Sequence, residues 1–349
     1  MIDAALLDWV LVGEGGILIA TVAFYLLHGV WLRRRSLEDQ ALRTAGRASL
    51  ARLLAPSGAV SALDVASLRS LPIRIQIPLF NELSKNVAGA QKSTLRELAR
   101  ELGLVTRAKR DCTSRRWPRR LRGARFLAQL GEPDALVVSL LRDPHPAVRA
   151  QAAEWAGTDP SPEIVTTMLE LLADPATLSR FAVQDALLRM GEPMMVPLAE
   201  YLVMREGPAA LAGLRVAAAT GDRRFHEIAL HFSHDTAADG EGAASSAELL
   251  AAIGGAEAAS RLLAMTAFEA ERAQLAAIRG LGRMRHWPAA TRLAAMLEHP
   301  RWKVRHASAL ALRTIGAPGL LLLRRARTGD SVAAAEIARL VLDLPDAVR

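Results

Sequence analysis

The longest apolar run lies near the start of the chain. From Gly15 to Leu32 it reads GGILIATVAFYLLHGVWL, 18 residues without formal charge when His28 is neutral. As a helix at about 1.5 Å per residue the run spans roughly 27 Å, close to the ~30 Å hydrocarbon core of a bilayer. Trp9 and Trp31 bracket it, and Arg33, Arg34 and Arg35 follow at once. The pattern predicts a transmembrane helix. A cleaved signal peptide would carry its basic residues before the apolar run, whereas here acids precede it and arginines follow. A buried core helix has no need of so long an uncharged run set against three arginines. The positive-inside rule then puts the N-terminus outside and the rest of the chain in the cytoplasm, as a single-pass protein of the inner (cytoplasmic) membrane. Glu14 and His28 are about 21 Å apart along such a helix, too far to form a proton relay.

Beyond the arginines, apolar positions fall into short helical stretches. Residues 36–116 are predicted to form a basic helical juxtamembrane region. Pro56-Ser57-Gly58 ends one helix, and Pro72 and Pro78 flank RIQI, which is too short and too Pro-bounded for a strand. Thr94 and Glu97 read as a capping box at the start of LRELARELG, with Gly103 as its C-terminal stop. Leu95, Leu98, Ala99 and Leu102 line one face of that helix.

From residue 117 the pattern repeats. Turn signals after helical stretches recur at Gly131, Pro160, Gly191, Gly221, Gly254, Arg285 and Gly316, at intervals of 29–33 residues. A period this steady predicts a solenoid of helical hairpins. Two units carry it most clearly, DPHPAVRAQAAEWAG (143–157) and HPRWKVRHASALALRTIG (299–316). Val148, Ala152 and Trp155 match Val304, Ser308 and Ala311 at i, i+4 and i+7, one face of a helix. Asp143-Pro144, Asp174-Pro175 and His299-Pro300 mark the junctions between hairpins, where proline suits a first helical turn.

These two motifs resemble the bacterial HEAT-like repeat family over residues 117–349, strongly in 143–175 and 299–330 and least in 209–271. The resemblance implies a right-handed α-solenoid with a concave face. It also implies structural roles for Asp143, Arg149 and Arg305 in tying neighbouring turns together. The expected architecture is all-α, with a transmembrane anchor (1–35), a basic helical juxtamembrane region (36–116) and a HEAT-like solenoid (117–349).

Composition agrees with helices. Hydrophobic residues make up 51% of the chain but aromatics only 4%, so Ala, Leu and Val dominate, unlike an aromatic-rich β-sandwich. The single cysteine, Cys112, excludes an intramolecular disulfide and a thiolate metal cluster, and it fits a reducing compartment.

Charge adds a second feature. Residues 1–32 carry −3, residues 33–125 carry +14 and residues 126–349 carry −3 of the net +8. The basic block ends in SRRWPRRLRGAR, with Arg115, Arg116, Arg119, Arg120, Arg122 and Arg125. These six are the candidate contacts for a partner. Anionic lipid heads would gain about 1 kcal/mol per basic residue near the surface. An acidic protein partner, nucleic acid or a merely solvated helix face are the alternatives. Nucleic acid ranks last, because the predicted anchor holds this segment near the membrane.

No enzymatic motif stands out. FHEIALHFSHD gathers His226, Glu227, His231, His234 and Asp235, and His231 with His234 have spacing suited to a shared metal. Deoxyhypusine hydroxylase, a HEAT-like metalloenzyme, uses several His-Glu pairs, whereas His226-Glu227 is the sole such pair here, so a dinuclear centre is not expected. The chain lacks a Walker loop, a nucleophile elbow and a dinucleotide fingerprint. Lys109, Arg110, Arg115 and Arg116 surround Cys112 in sequence and would lower its pKa, but with no histidine nearby it reads as a surface thiol. No catalytic, cofactor-binding or metal residue is predicted, and no enzymatic activity. The expected function is that of a membrane-anchored cytoplasmic scaffold or accessory subunit. Its expected partner is a protein, first of all a membrane protein or complex, with anionic lipid second. The layout also resembles anchored HEAT-repeat proteins that accompany membrane glycosyltransferases in surface-polysaccharide assembly. The alternatives are a HEAT-like enzyme, metal-dependent or of the lyase type, and a nucleic-acid-binding solenoid. The net −3 of residues 126–349 weighs against the last.

Overall fold

A computed structural model describes residues 4–55, 61–234 and 240–345, with side chains from Thr21 onward except Leu32. The described residues form α-helices and short 3₁₀ turns, with no strand among them. The chain divides into two compact units, Met1–Asp134 and Ala135–Arg349.

The first unit holds α1 (Ala4–Leu53), α2 (Ala62–Ser70), α3 (Ile73–Ser84), α4 (Gly89–Glu101), α5 (Leu104–Cys112) and α6 (Trp117–Leu130). Helix α1 is continuous for 50 residues. It passes through the predicted anchor boundary at residue 35 without a break, so the apolar run and the helix that follows it are one element. Its C-terminal end is packed: Ser49, Leu50 and Leu53 are buried. Gly46 lets α1 approach its neighbours, since a Cβ there would lie 2.8 Å from both Leu71 Cδ1 and Leu79 Cδ2. Ion pairs of Arg47 with Glu82, Arg52 with Asp64 and Arg74 with Asp39 tie the same helix to α2 and α3.

Further toward the N-terminus the described side chains of α1 have no such packing. Phe24, Tyr25, Leu26, Leu27 and Trp31 are exposed, Leu27 to 72%. His28 stacks between Phe24 and Trp31, and the Arg35 guanidinium sits 5.0 Å over the Trp31 ring. Among the described residues no helix is long and apolar enough to cross a membrane. The transmembrane helix expected over residues 15–32 is therefore not found there. The side chains of Gly15–Ala20 and of Leu32, part of that expected span, lie outside the described residues.

As expected, RIQI is not a strand, and one local expectation in this unit, the start of α4, is corrected. RIQI is the first turn of α3, whose helical spacing buries Ile75, Leu79 and Phe80, with Pro78 inside the helix. Helix α4 starts at Gly89, one turn before the expected cap, and the Ser93 and Thr94 hydroxyls donate to the Ala90 carbonyl from inside it. Gly103 does end α4, in a left-handed conformation at φ 72°.

The second unit is a run of helical hairpins. They are α7 (Leu136–Leu141) with α8 (Pro146–Ala156), α9 (Pro162–Glu170) with α10 (Thr177–Met190), and α11 (Met195–Met204) with α12 (Gly207–Thr220). Then come α13 (His226–Ser233) with α14 (Glu241–Ile253), α15 (Ala256–Met265) with α16 (Glu271–Arg283), α17 (Ala290–Ala295) with α18 (Trp302–Ile315), and α19 (Ala317–Arg327) with α20 (Val332–Leu342). The second helices stack on one another in succession from α8 to α20, and the first helices cover one side of that layer. Val148, Ala152, Trp155, Val304, Ser308 and Ala311 are all buried in it. Small residues permit this close stacking: a Cβ on Gly282 of α16 would lie 2.9 Å from the Ala311 Cα of α18.

The periodic turn signals have a backbone cause. Gly131, Gly191, Gly221, Gly254 and Gly316 all have positive φ, where glycine pays no Cβ penalty. Arg285 holds the same slot at φ 50°, the only non-glycine residue with positive φ among the described residues. At Pro160 the turn is built differently: Gly157 has φ −58°, and the Asp159 carboxylate accepts from the Ser161 amide.

Candidate functional site

A capping device recurs four residues after the N-cap of several second helices. On α8, Arg149 Nη1 donates to the Asp143 and Pro144 carbonyls at 2.8 and 3.1 Å. Its Nη2 and Nε reach forward to both oxygens of the buried Asp174 at the next junction. Asp174 also accepts from the Ala176 amide and the Ser179 hydroxyl. Burial opposes its ionisation, but these hydrogen bonds outweigh burial and hold its pKa below the ordinary carboxylate value. On α18, Arg305 Nη1 donates to the His299 and Pro300 carbonyls, both at 2.9 Å. Of the residues implied to tie neighbouring turns together, Arg149 joins two junctions through Asp174, Arg305 caps the carbonyls of its own junction, and the Asp143 carboxylate accepts from the His145 amide. On α16, Gln274 takes the same place and donates to the Thr266 carbonyl.

The device extends into the first unit. Arg120 Nη1 on α6 donates to the Ser114 and Arg115 carbonyls at 3.0 and 3.1 Å, and Gln76 on α3 donates to those of Leu68 and Leu71. Arg120, read from the sequence as a candidate partner contact, is therefore engaged in holding a junction. The signal that finds it is its register: Arg120 stands four residues after its N-cap Arg116, as Arg149 does after His145 and Arg305 after Arg301. The other five candidates, Arg115, Arg116, Arg119, Arg122 and Arg125, are exposed in and before α6. Arg122 Nε donates weakly within its own helix, to the Pro118 carbonyl.

The histidine cluster does not converge. His226 Nε2 lies 3.0 Å from Glu257 Oε2, His234 Nδ1 faces Arg261 Nη2 at 3.1 Å, and His231 packs edge-on to Phe232. Asp235 lies outside the described residues. Among the described residues no three His, Cys, Asp or Glu side chains are placed to hold a metal ion.

Cys112 is also corrected. It is buried, 3% exposed, beneath α6, where a Cβ on Gly123 would lie 2.8 Å from its sulfur. Burial first, then the charges of Asp111 and Asp134, push its pKa up to about 12. It is a protonated core thiol. The cations beside it in sequence are outweighed by apolar packing and by carboxylates beside it in space.

One surface feature of the second unit was not read from the sequence. A groove of about 320 Å³ lies between α16 and α18. Arg279 and Arg283 line one wall, and Trp302, Lys303 and His306 line the other. Gly282, Ala307 and Ala311 also line it and add little bulk. The Trp302 and His306 rings stack at 4.8 Å, within 8° of parallel, and Trp302 remains 53% exposed.

The fold can now be set beside known proteins. The family model described as HEAT repeats matches residues 133–225. No curated protein matches the chain. Among solved structures, an engineered protein is similar at 15% identity and TM-score 0.32, covering 87% of this chain and 94% of its own. Human deoxyhypusine hydroxylase in complex with glycerol is similar at 18% identity and TM-score 0.26, covering 88% of this chain and 98% of its own. The Escherichia coli protein YibA is similar at 16% identity and TM-score 0.35, covering 80% of this chain and 96% of its own. Residues 133–225 are HEAT repeats, and the second unit is an all-α HEAT-like solenoid.

Proposed function

We propose that the chain is a membrane-anchored scaffold whose repeats bind a protein partner. The observation that carries the anchor is the exposed stretch of α1 from Val22 to Trp31. Val22, Phe24, Tyr25, Leu26, Leu27, Val30 and Trp31 are exposed around the whole circumference of the helix. A docking helix shows one apolar stripe, whereas a helix apolar all round belongs in a nonaqueous medium. Arg33, Arg34 and Arg35 then sit at the inner headgroups, the N-terminus lies outside and the chain after Arg35 faces the cytoplasm. Because α1 runs unbroken into the packed core at Leu50 and Leu53, the first unit is held close to the bilayer.

HEAT repeats support the scaffold half of the reading, since stacked hairpins supply an extended binding surface. The partner is a membrane protein, and the resemblance noted in the sequence favours a membrane glycosyltransferase of surface-polysaccharide assembly. The exposed arginines of α6 face anionic lipid or an acidic surface of that partner. A pull-down with the full chain from detergent-solubilised membranes tests this. Recovery of a specific membrane protein that the deletion of α16–α20 abolishes is the expected result. Recovery of no specific protein over several detergents contradicts it.

A further inference from the structure

We infer that the groove between α16 and α18 is a docking site for an acidic, partly apolar peptide segment of a partner protein. The inference rests on the scaffold reading and names the chemistry of what the scaffold binds. Its first support is charge. Arg279, Arg283 and Lys303 line the groove, and no carboxylate does. Lys303 is paired at 2.9 Å with Glu271, at the N-terminal end of α16. Arg279 and Arg283 are exposed and have no ion-pair partner among the described residues. This local excess of cations sits in a region, residues 126–349, whose net charge is −3. Two guanidinium groups one helical turn apart, free to make two-point contacts, match carboxylates better than any neutral segment.

The second support is shape and surface. The exposed Trp302, stacked on His306, offers a flat apolar plate beside the cations. Gly282, Ala307 and Ala311 present little bulk, so a peptide backbone can lie close to the helices. Trp and Arg side by side are the residue types that dominate binding energy at protein interfaces. The same pair could stack a base, but a nucleic-acid strand needs a continuous positive track, and three cations within one groove do not make one. The groove's ~320 Å³ suits a few side chains of one segment.

The test uses the full chain in detergent and a fluorescein-labelled peptide of alternating Glu and Leu, followed by fluorescence anisotropy. The peptide is expected to bind, and a Lys-Leu peptide is expected not to. Arg279→Gln and Arg283→Gln should each weaken binding about tenfold, the loss of one charged hydrogen-bonding contact. Arg324→Gln with Arg325→Gln, which removes two exposed charges from α19, should leave it unchanged, and circular dichroism should show all variants folded. No binding, equal loss in the α19 variant, or tighter binding of oligo(dT) at the same arginines would each overturn the proposal. If the pull-down recovers a membrane protein and Arg279→Gln with Arg283→Gln still recovers it, the groove fails while the scaffold stands. If the pull-down recovers nothing while the peptide binds as described, the scaffold reading fails and the groove stands.

Discussion

Arg149 joins two successive hairpins through Asp174. One guanidinium makes a two-point contact with the carboxylate of the next junction while its remaining nitrogen caps the carbonyls of its own. Both ends are largely buried, with side-chain exposures of 14% and 2%. Such an arrangement fixes the register between hairpins, because neither charge has another partner of equal quality.

Asp174→Asn should therefore cost about 3 kcal/mol, the loss seen when one partner of a buried pair is removed. The effect has a defined pH dependence. The Asp174 pKa is lower in the folded protein than in the unfolded chain, so its contribution is fully present above the unfolded value near ~3.9. It is lost as pH falls through the folded value. Chemical denaturation of wild type and variant should differ most at pH 6–7, and the gap should close as pH drops below about 4. A gap independent of pH would place the loss in packing.

Arg285 offers a prediction of opposite sign. A non-glycine residue in the left-handed region carries a cost of order 1 kcal/mol or more. Arg285→Gly removes that cost but adds freedom to the unfolded chain. Thermal melts should show a gain of several tenths to about 1 kcal/mol, whereas glycine placed at Ala277, inside α16, should cost about 1 kcal/mol.

Ala311 tests the stacking of α18 on α16. Ala311→Asp forces a larger, charged side chain into the close approach at Gly282 and should cost several kcal/mol. Glu336→Asp, on the exposed side of α20, should fall within about 0.5 kcal/mol of wild type. Equal melting of the two would mean that α16 and α18 do not pack as described.

The arginines of α6 separate into two roles. Arg120→Ala should lower stability, since it removes the side chain that donates to the Ser114 and Arg115 carbonyls. Arg115→Gln, Arg116→Gln and Arg119→Gln together should leave stability unchanged. In a fragment 36–349, which keeps the packed end of α1, the triple variant should lose roughly 3 kcal/mol of binding to anionic vesicles at low salt. Unchanged vesicle binding by the triple variant would assign these arginines to a protein partner or to solvent.

Much of this organisation was legible because turns and helix faces are local. The glycines at 131, 191, 221, 254 and 316 stand where the chain needs positive φ, so their spacing reports the repeat directly. Arg285 was found by period alone, since no local chemistry favours arginine in that conformation. Other features depend on what lies across a junction. Arg120 sits in a run of arginines, and only its register after an N-cap distinguishes a structural arginine from a solvated one. The Thr94–Glu97 box matched a real signature, but α4 extends a turn further back. The groove was not legible because it requires Arg279 of one hairpin to face Trp302 of the next, a relation set by stacking.

The most direct test of the central claim, an apolar N-terminal helix that holds the repeats on the cytoplasmic side of a membrane, is the topology of the full chain. Reporter fusions at Met1 and at Arg349, each read for periplasmic and for cytoplasmic activity, measure it. The account predicts a periplasmic reporter at Met1 and a cytoplasmic one at Arg349, both in the membrane fraction. A periplasmic reporter at Arg349, or full-length protein free of the membrane, would contradict it.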